Sequence, residues 1–359
     1  MSGVLPNQTI RQLIADNRIA ATRPVQKEQV QPASLDLRLG GAAFRVRASF
    51  LAGRNARVSD RLTEFEMHQV DLRDGAVLEK GCVYVVPLME SLALPETVHA
   101  VANAKSSTGR LDLLTRTITD GGTEFDRVGA GYHGPLYAEI CPRSFSVLVR
   151  PGMRLNQIRF CDGHAVLSDT ELAALHKQTP LVDGKAMIDD GLAFSVDLRL
   201  KDTTLVGYRA KPHTGVIDLD QIGRYAITDY WEEVHAEDGK IILDPGAFYI
   251  LVSREAVTIP PEYAAEMAPY LAMVGEFRVH YAGFFDPGFG YAEAGGAGSR
   301  GVLEVRCHEA PFVLEHGQTV GRLIYERMAE VPTELYGAAL SSNYQGQGLK
   351  LSKHFKMPG

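Results

Sequence analysis

Two kinds of cluster in this sequence bring together residue types that could do chemistry. The first is Lys105-Ser-Ser-Thr-Gly-Arg110, where hydroxyls, two cations and a glycine fall within six residues. Hydroxyls and backbone N–H groups give directional bonds to an anion, and arginine offers a planar fork of donors suited to phosphate. A polar turn is the plain alternative. The second is a glycine-rich stretch followed by an acid on an apolar strand. Arg127-Val-Gly-Ala-Gly-Tyr-His-Gly134 leads to Glu139, which lies between Ala138 and Ile140. Asp286-Pro-Gly-Phe-Gly290 leads to Glu304, inside Val302-Leu-Glu-Val305. A carboxylate in such surroundings either pairs with a cation as a structural salt bridge or works as an acid–base group.

Other patterns carry less. Gly296-x-Gly298-x-x-Gly301 has the letters of a dinucleotide fingerprint, but it precedes a strand, whereas that motif follows a strand and opens a helix. A hairpin loop is the better reading. His235-Ala-Glu237 matches the first half of a zinc-deaminase signature, yet no Pro-Cys-x-x-Cys follows anywhere in the chain. The charged stretch around it, with Asp238-Gly239, reads as a solvated hairpin. The 11 histidines show no ligand spacing, and the four cysteines (Cys82, Cys141, Cys161 and Cys307) are scattered. Reduced, buried thiols follow, with no disulfide frame and no protein-bound zinc.

The elements that must position these residues are mostly strands. Helix signals are few. Asn7 to Arg18 carries Ile10, Leu13 and Ile14 at helical spacing, and Ser168-Asp-Thr-Glu171 fits a capping box before Leu172 to Lys177. Elsewhere short apolar or alternating runs are bounded by Gly, Pro, Asp and Asn. Examples are Ser34–Leu39, Val83–Leu88, Leu136–Ile140, Ser146–Val149, Phe248–Val252 and Val302–Val305. With 35 glycines and 18 prolines, many short strands predict β-barrels or jelly rolls.

An internal repeat sharpens this. Ser34-Leu-Asp-Leu-Arg-Leu39 recurs as Ser195-Val-Asp-Leu-Arg-Leu200, and Glu90-Ser-Leu-Ala-Leu-Pro95 as Glu255-Ala-Val-Thr-Ile-Pro260. Gly81 and Gly246, Glu139 and Glu304, and Gly152 and Gly317 each stand 165 residues apart. The sequence therefore predicts a mainly β protein with two tandem copies of one domain. The predicted bounds are 1–167 and 191–359, with 168–190 as a helical linker.

Composition bounds the function. The 359 residues are 45% hydrophobic and 23% charged, with a net charge of −7. That is ordinary globular composition, and an acidic balance argues against non-specific nucleic-acid binding. Apolar runs stay far below the roughly 18 residues a spanning helix needs, and Met1 to Arg11 has no apolar signal core. No membrane association and a cytoplasmic location are the expectations.

Taken in order, the motifs resemble the dCTP deaminase branch of the trimeric dUTPase-like superfamily. Gln31-Pro-Ala-Ser-Leu-Asp-Leu-Arg-Leu-Gly40 looks like the family's first strand motif. Lys105 to Arg110 is similar to its Arg-Ser-Ser-x-x-Arg, with Lys for the first Arg. Arg127 to Gly134 resembles its Arg-Ile-Asp-Pro-Gly-Trp-x-Gly hairpin, and Glu139 falls at the family's catalytic Glu. Arg150-Pro-Gly-Met153 is similar to the strand entry that follows. In the second copy Asp286 to Phe289 and Val302 to Glu304 match the same hairpin and strand. Tyr336, Asn343 and Gln347 fall at the spacing of the family's tail Tyr, Lys and Gln, with Asn for Lys. The departures are complementary. The first copy has Gly129 for the hairpin Asp, an insertion near Asp120 to Asp126 and no tail motif, whereas the second lacks the Ser-Ser-x-x-x-Arg element.

The resemblance implies zinc-free, hydrolytic deamination of dCTP to dUTP and ammonia, feeding dUMP and dTMP synthesis. Glu139 or Glu304 would shuttle the proton, with Arg110 holding the carboxylate ionised and Ser106 positioning the water. Lys105, Ser107, Arg127, Asp286, Tyr336, Asn343 and Gln347 would bind the nucleotide. Mg²⁺ would arrive on the triphosphate. A homo-oligomer is implied, a trimer or a pseudo-trimeric arrangement of domains, as is one composite site drawing on both copies, or else a site held by the first copy alone, with Glu139 as catalyst and the second copy structural. The rival readings are a dUTP pyrophosphatase or bifunctional enzyme, and a non-catalytic nucleotide-binding regulator. The polar stretch Ser341 to Gly359 reads as a flexible tail that covers bound nucleotide and adds little to the core.

Overall fold

The computed structural model describes residues 2–201, 203–269, 277–280, 283–294, 296–307, 309–337 and 348–356. The chain divides into two compact units. One comprises residues 1–165, 215–224 and 328–333; the other comprises 166–214, 225–327 and 334–359. Both are mainly β, as the dense punctuation by turn residues predicts.

The first unit has two large antiparallel sheets. One runs in the order Arg127–Val128, Val98–Ala104, Arg154–Asp162, Ser34–Arg38, Val30–Gln31. The other runs Leu113–Thr119, His133–Pro142, Val83–Ala93, Ala42–Val46, Glu66–Asp71. A small third sheet joins Ala76–Leu78, Val147–Val149 and Ile217–Asp218.

The second unit repeats the plan. Leu192–Ser195, Thr319–Arg327, Tyr263–Pro269 and Phe284–Phe285 form one sheet. Trp231–His235, Leu205–Ala210, Phe248–Val257, Ser299–Cys307 and Phe277–His280 form the other. Lys240–Leu243 pairs with Phe312–Glu315. Strands beginning at Val83, Val98, Val147 and Arg154 have counterparts beginning 165 residues later at Phe248, Tyr263, Phe312 and Thr319. The tandem duplication read from short motifs is thus repeated in the order of strands within each sheet, and the jelly-roll class follows. The two large sheets of the second unit share a core of Leu192, Phe194, Met267 and Tyr325 with Tyr249, Leu251, Leu303 and Val305.

The repeated motifs turn out to be scaffold. In the first unit the Glu90 carboxylate is buried against Arg38, accepting from its Nε at 2.8 Å and its backbone N–H at 2.8 Å. In the second, Glu255 accepts from Ser195 N–H at 2.8 Å and from its hydroxyl at 2.5 Å. Each glutamate pins one strand of a sheet to the Ser-x-Asp-x-Arg strand, which is why the two motifs recur together.

The first helix spans Asn7–Ala15, and a helix at Val58–Phe65 had no sequence signal. The expected capping box forms at Ser168, whose hydroxyl accepts from Glu171 N–H at 3.4 Å, opening the helix Asp169–Gln178. The stretch 168–190 does not stand apart as a linker. Leu172, Leu175, Leu181 and Val182 are buried in the core of the second unit. Asp238 and Gly239, both at positive φ, make the expected tight turn, closed by a single bridge between Glu237 and Lys240, but the expected hairpin does not form: Trp231–His235 pairs with Leu205–Ala210 and Lys240–Leu243 with Phe312–Glu315. Gly296 to Gly301 lead into a strand rather than a helix.

Candidate active site

Glu139 lies on His133–Pro142, the strand between Leu113–Thr119 and Val83–Ala93. Residue alternation sends Ala138 and Ile140, its sequence neighbours, to the opposite face of the sheet. Its own face is shared with Tyr137 and Val85, part of an apolar cluster with Val46, Phe50, Val58, Leu62 and Ile118. The side chain is 1% exposed.

Its cation is not the one expected. Arg110 was the sequence candidate, but the antiparallel register sets Arg116 directly across from Glu139. The Arg116 guanidinium donates to Glu139 Oε1 from Nε at 3.1 Å and also from Nη2. Nη2 reaches Ser49 Oγ at 3.0 Å as well, and the guanidinium stacks over the Phe125 ring with 3.6 Å to its centroid. Glu139 Oε2 is buried without a hydrogen-bond partner.

Glu304 holds the equivalent place in the second unit. It lies on Ser299–Cys307 between Phe248–Val257 and Phe277–His280, with Ile250 and His280 as cross-strand partners. Leu303, Val305 and Cys307 face the core, so alternation sends Glu304 and Arg306 to the other face, where Glu304 is 7% exposed.

Ser106–Gly109 form a single helical turn entered from Lys105 and leading straight into the Arg116 strand. Ser106 and Ser107 are half-buried, and Arg110 is buried. The Lys105 ammonium is already paired with Asp36, which also faces Arg154 Nη1 at 3.7 Å. The phosphate role expected of Lys105 therefore competes with an ion pair to the Ser34-Leu-Asp-Leu-Arg strand. Arg127 is on the sheet that lacks Glu139, in an exposed pair with Glu124 at 2.9 Å. That arrangement gives no support to its expected nucleotide role.

Asp286 is buried at the head of the turn 287–290. Tyr336 packs on that turn: its N–H donates to Pro287 O at 2.8 Å, and its ring lies 5.6 Å from that of Phe289. Gly288 has φ +96°, and a Cβ there would meet Tyr336 O at 2.7 Å, so the close approach requires glycine. In the first unit Tyr132 closes the corresponding hairpin. Its hydroxyl donates to Pro135 O at 2.7 Å and accepts from Asp120 N–H. Burial pushes its phenol up to about 12.

Asn343 and Gln347 lie outside the described residues. Farther on, the expectation of a flexible tail is overturned: Leu351, Ser352, His354 and Phe355 are buried. The Phe355 ring sits 5.6 Å from Tyr230, 5.8 Å from Trp231 and 6.4 Å from Tyr225. Lone apolar residues in a polar stretch carry no periodicity, so this packing had no sequence signal. Among the described residues no three His, Cys, Asp or Glu side chains gather into a metal-binding group, and none of the helices is long and apolar enough to cross a membrane.

Comparison with known proteins bears on what this arrangement does. Residues 1–164 match the family model described as the 2′-deoxycytidine 5′-triphosphate deaminase (DCD) N-terminal domain, and residues 168–355 match that of its C-terminal domain. The chain is similar to the crystal structure of 2′-deoxycytidine 5′-triphosphate deaminase from Agrobacterium tumefaciens. That match has 57% identity and a TM-score of 0.88, covering 91% of this chain and 99% of that one. Curated relatives named "dCTP deaminase, dUMP-forming" include one from Sulfurihydrogenibium sp., 28% identical over 160 residues, covering 44% of this chain and 82% of the relative. Another, from Methanothermobacter thermautotrophicus, is 28% identical over 194 residues, covering 51% of this chain and 90% of the relative.

Proposed function

Because the chain belongs to the 2′-deoxycytidine 5′-triphosphate deaminase family, we propose that it hydrolyses dCTP to dUTP and ammonia without a protein-bound zinc, as a supplier of uracil deoxynucleotides. The observation that carries this reading is the pair of family matches in tandem, together spanning nearly the whole chain. A strand carboxylate lies at the same register position in each unit.

The chemistry needs one such carboxylate. Water adds to C4 of the cytosine ring while the carboxylate takes its proton. The carboxylate passes that proton to ring N3, then relays the remaining hydroxyl proton to the amine as the C4–N bond breaks, leaving a C4 carbonyl, a protonated N3 and ammonia. Zinc independence is supported by the scattered cysteines and the missing second half of the His235-Ala-Glu237 pattern. The hydroxyls of Ser106 and Ser107 and the Arg110 guanidinium are our candidates for phosphate binding, with Tyr336 as a nucleotide contact. Mg²⁺ enters as part of the substrate, held mainly by phosphate oxygens and water.

A second reading, continued hydrolysis to dUMP and pyrophosphate, is supported by the names of the curated relatives and by Asp286 in the second hairpin. Incubation of purified protein with dCTP, with ammonia and pyrophosphate measured in parallel, tests both. Ammonia with dUTP supports the first, and ammonia with dUMP and pyrophosphate supports the second. Pyrophosphate from dUTP without ammonia from dCTP refutes deamination.

A further inference from the structure

We propose that the strand Phe312–Glu315 is an association surface on which a second copy of this chain docks, edge to edge about a two-fold axis. Duplication exposes the feature, because the same strand is finished differently in the two units. In the first unit Val147–Val149 pairs with Ala76–Leu78 on one side and with Ile217–Asp218 on the other. Ile217 N–H donates to Ser146 O at 3.0 Å, and Leu219 N–H donates to Leu148 O at 3.2 Å. Arg150 fastens the closing strand, pairing with Asp218 at 2.7 Å and Asp220 at 2.8 Å. In the second unit Phe312–Glu315 pairs with Lys240–Leu243. Among the described residues no strand takes its other edge.

The backbone on that edge is aimed outward. His316 N–H donates to Gly239 O at 2.8 Å, on the side of Lys240–Leu243. Alternation of the ladder then turns the N–H and C=O of Val313 the other way, with the carbonyl of Pro311. These are the positions that match Leu148 and Ser146, the two acceptors of the closing strand in the first unit. Glu315 also points outward, but Gln318 caps it. Glu315 N–H donates to Gln318 Oε1 at 3.1 Å, and Gln318 N–H donates to Glu315 O at 3.0 Å. The edge therefore offers bonds over a short stretch centred on Val313.

The side chains beside it are apolar. Ile242 and Val313 are cross-strand partners, 64% and 51% exposed. In the first unit the same row is Val77, Leu148 and Asp218, extended by the closing strand. Lys240 and Glu315, the next pair on that face, neutralise each other at 2.8 Å.

A second copy fits this edge. A two-fold axis through Val313 sets that residue against itself, so the copies exchange N–H···O bonds in both directions. Directly opposed residues share a face, so Ile242 and Val313 of both copies join into one apolar stripe. In this register Glu315 of one copy lies across from Pro311 of the other. No like charges are opposed, and Pro311 has no N–H to leave unpaired. A longer foreign strand gains little, because bonding stops at the capped Glu315.

Small interfaces are transient. The wild-type mass in sedimentation velocity should therefore rise with protein concentration, toward roughly twice its value at high dilution. The full-length protein is compared with Val313→Lys and Val313→Asp, each of which sets like charges face to face. The position is half exposed, so circular dichroism should match wild type. Either variant alone should keep the dilute mass at every concentration. An equimolar mixture of the two should regain the rise, since opposite charges then meet. Ile242→Thr, which thins the stripe without adding charge, should reduce the rise, and it serves as the test if a charged variant does not fold. A folded Val313→Lys protein whose mass follows wild type, a mixture that stays at the dilute mass, or undiminished association of Ile242→Thr overturns the assignment.

Discussion

Replacing Phe355 by Ala tests the finding that the end of the chain is core rather than tail. The ring is 1% exposed and stands among Tyr225, Tyr230 and Trp231, all within 6.4 Å. Removing a fully buried phenylalanine costs about 3–5 kcal/mol. Edge-to-face aromatic pairs add roughly 0.5–1.5 kcal/mol beyond the area they bury, so three such neighbours place this site at the upper end. For a unit of this size each kcal/mol shifts Tm by about 2–4 °C, so a loss near 4 kcal/mol predicts a fall of roughly 8–16 °C. Trp231 is the sole tryptophan of the chain and lies 5.8 Å from the substituted ring, so its fluorescence reports this cluster directly. Phe355→Leu, which keeps apolar volume, should cost less than about 1.5 kcal/mol. A Phe355→Ala protein whose Tm moves by under about 2 °C, with an unchanged Trp231 spectrum, would refute the reasoning.

Two further outcomes follow from the first unit. Arg116→Ala leaves the buried Glu139 carboxylate without its cation; breaking a buried pair costs about 3–5 kcal/mol, and since Arg116 is itself 28% exposed the lower end is expected. Chemical denaturation should show a reduced midpoint, largely restored by adding Glu139→Leu. Tyr132 has a phenol pushed up to about 12 by burial. Its contribution to stability is fully present below the ordinary phenol pKa of 10 and is lost as pH rises from there through about 12. Wild-type Tm should therefore fall more steeply across that window than that of Tyr132→Phe; parallel slopes would refute the burial argument.

Much of the fold was written locally. Ser168 and Glu171 cap their helix through contacts three residues apart, and the strands around Glu139 and Glu304 alternate within a few positions. Duplication made this more legible still, because a motif repeated at a fixed spacing marks a structural position twice. What stayed hidden depends on pairing between distant residues. Arg116 meets Glu139 only because a hairpin with an insertion closes in one particular register, and the stretch that separates them, 23 positions in sequence, carries no periodic sign of it. Phe355 is one ring in a polar stretch, and its partners at 225, 230 and 231 lie far back in the sequence. The burial and cation pairing of Glu139 were legible in its strand, but the identity of its cation was not, since its sequence neighbours and its spatial neighbours lie on opposite faces of the sheet.

The division into units has a consequence for anyone who would take this protein apart. The polypeptide passes between the two units five times, because residues 215–224 and 328–333 belong to the first although they are encoded within the second. Ile217–Asp218 runs parallel to Val147–Val149 and closes that strand's outer edge, and Thr333 N–H donates to Asn7 Oδ1 at 3.1 Å. Expression of residues 1–165 alone would strip away both attachments and leave Val147–Val149 with an open edge, a template for association with other chains. A protease nick near residue 166 would likewise fail to release a separate half, since two later segments still lace the pieces together. Two copies in the sequence are therefore not two separable pieces of chain.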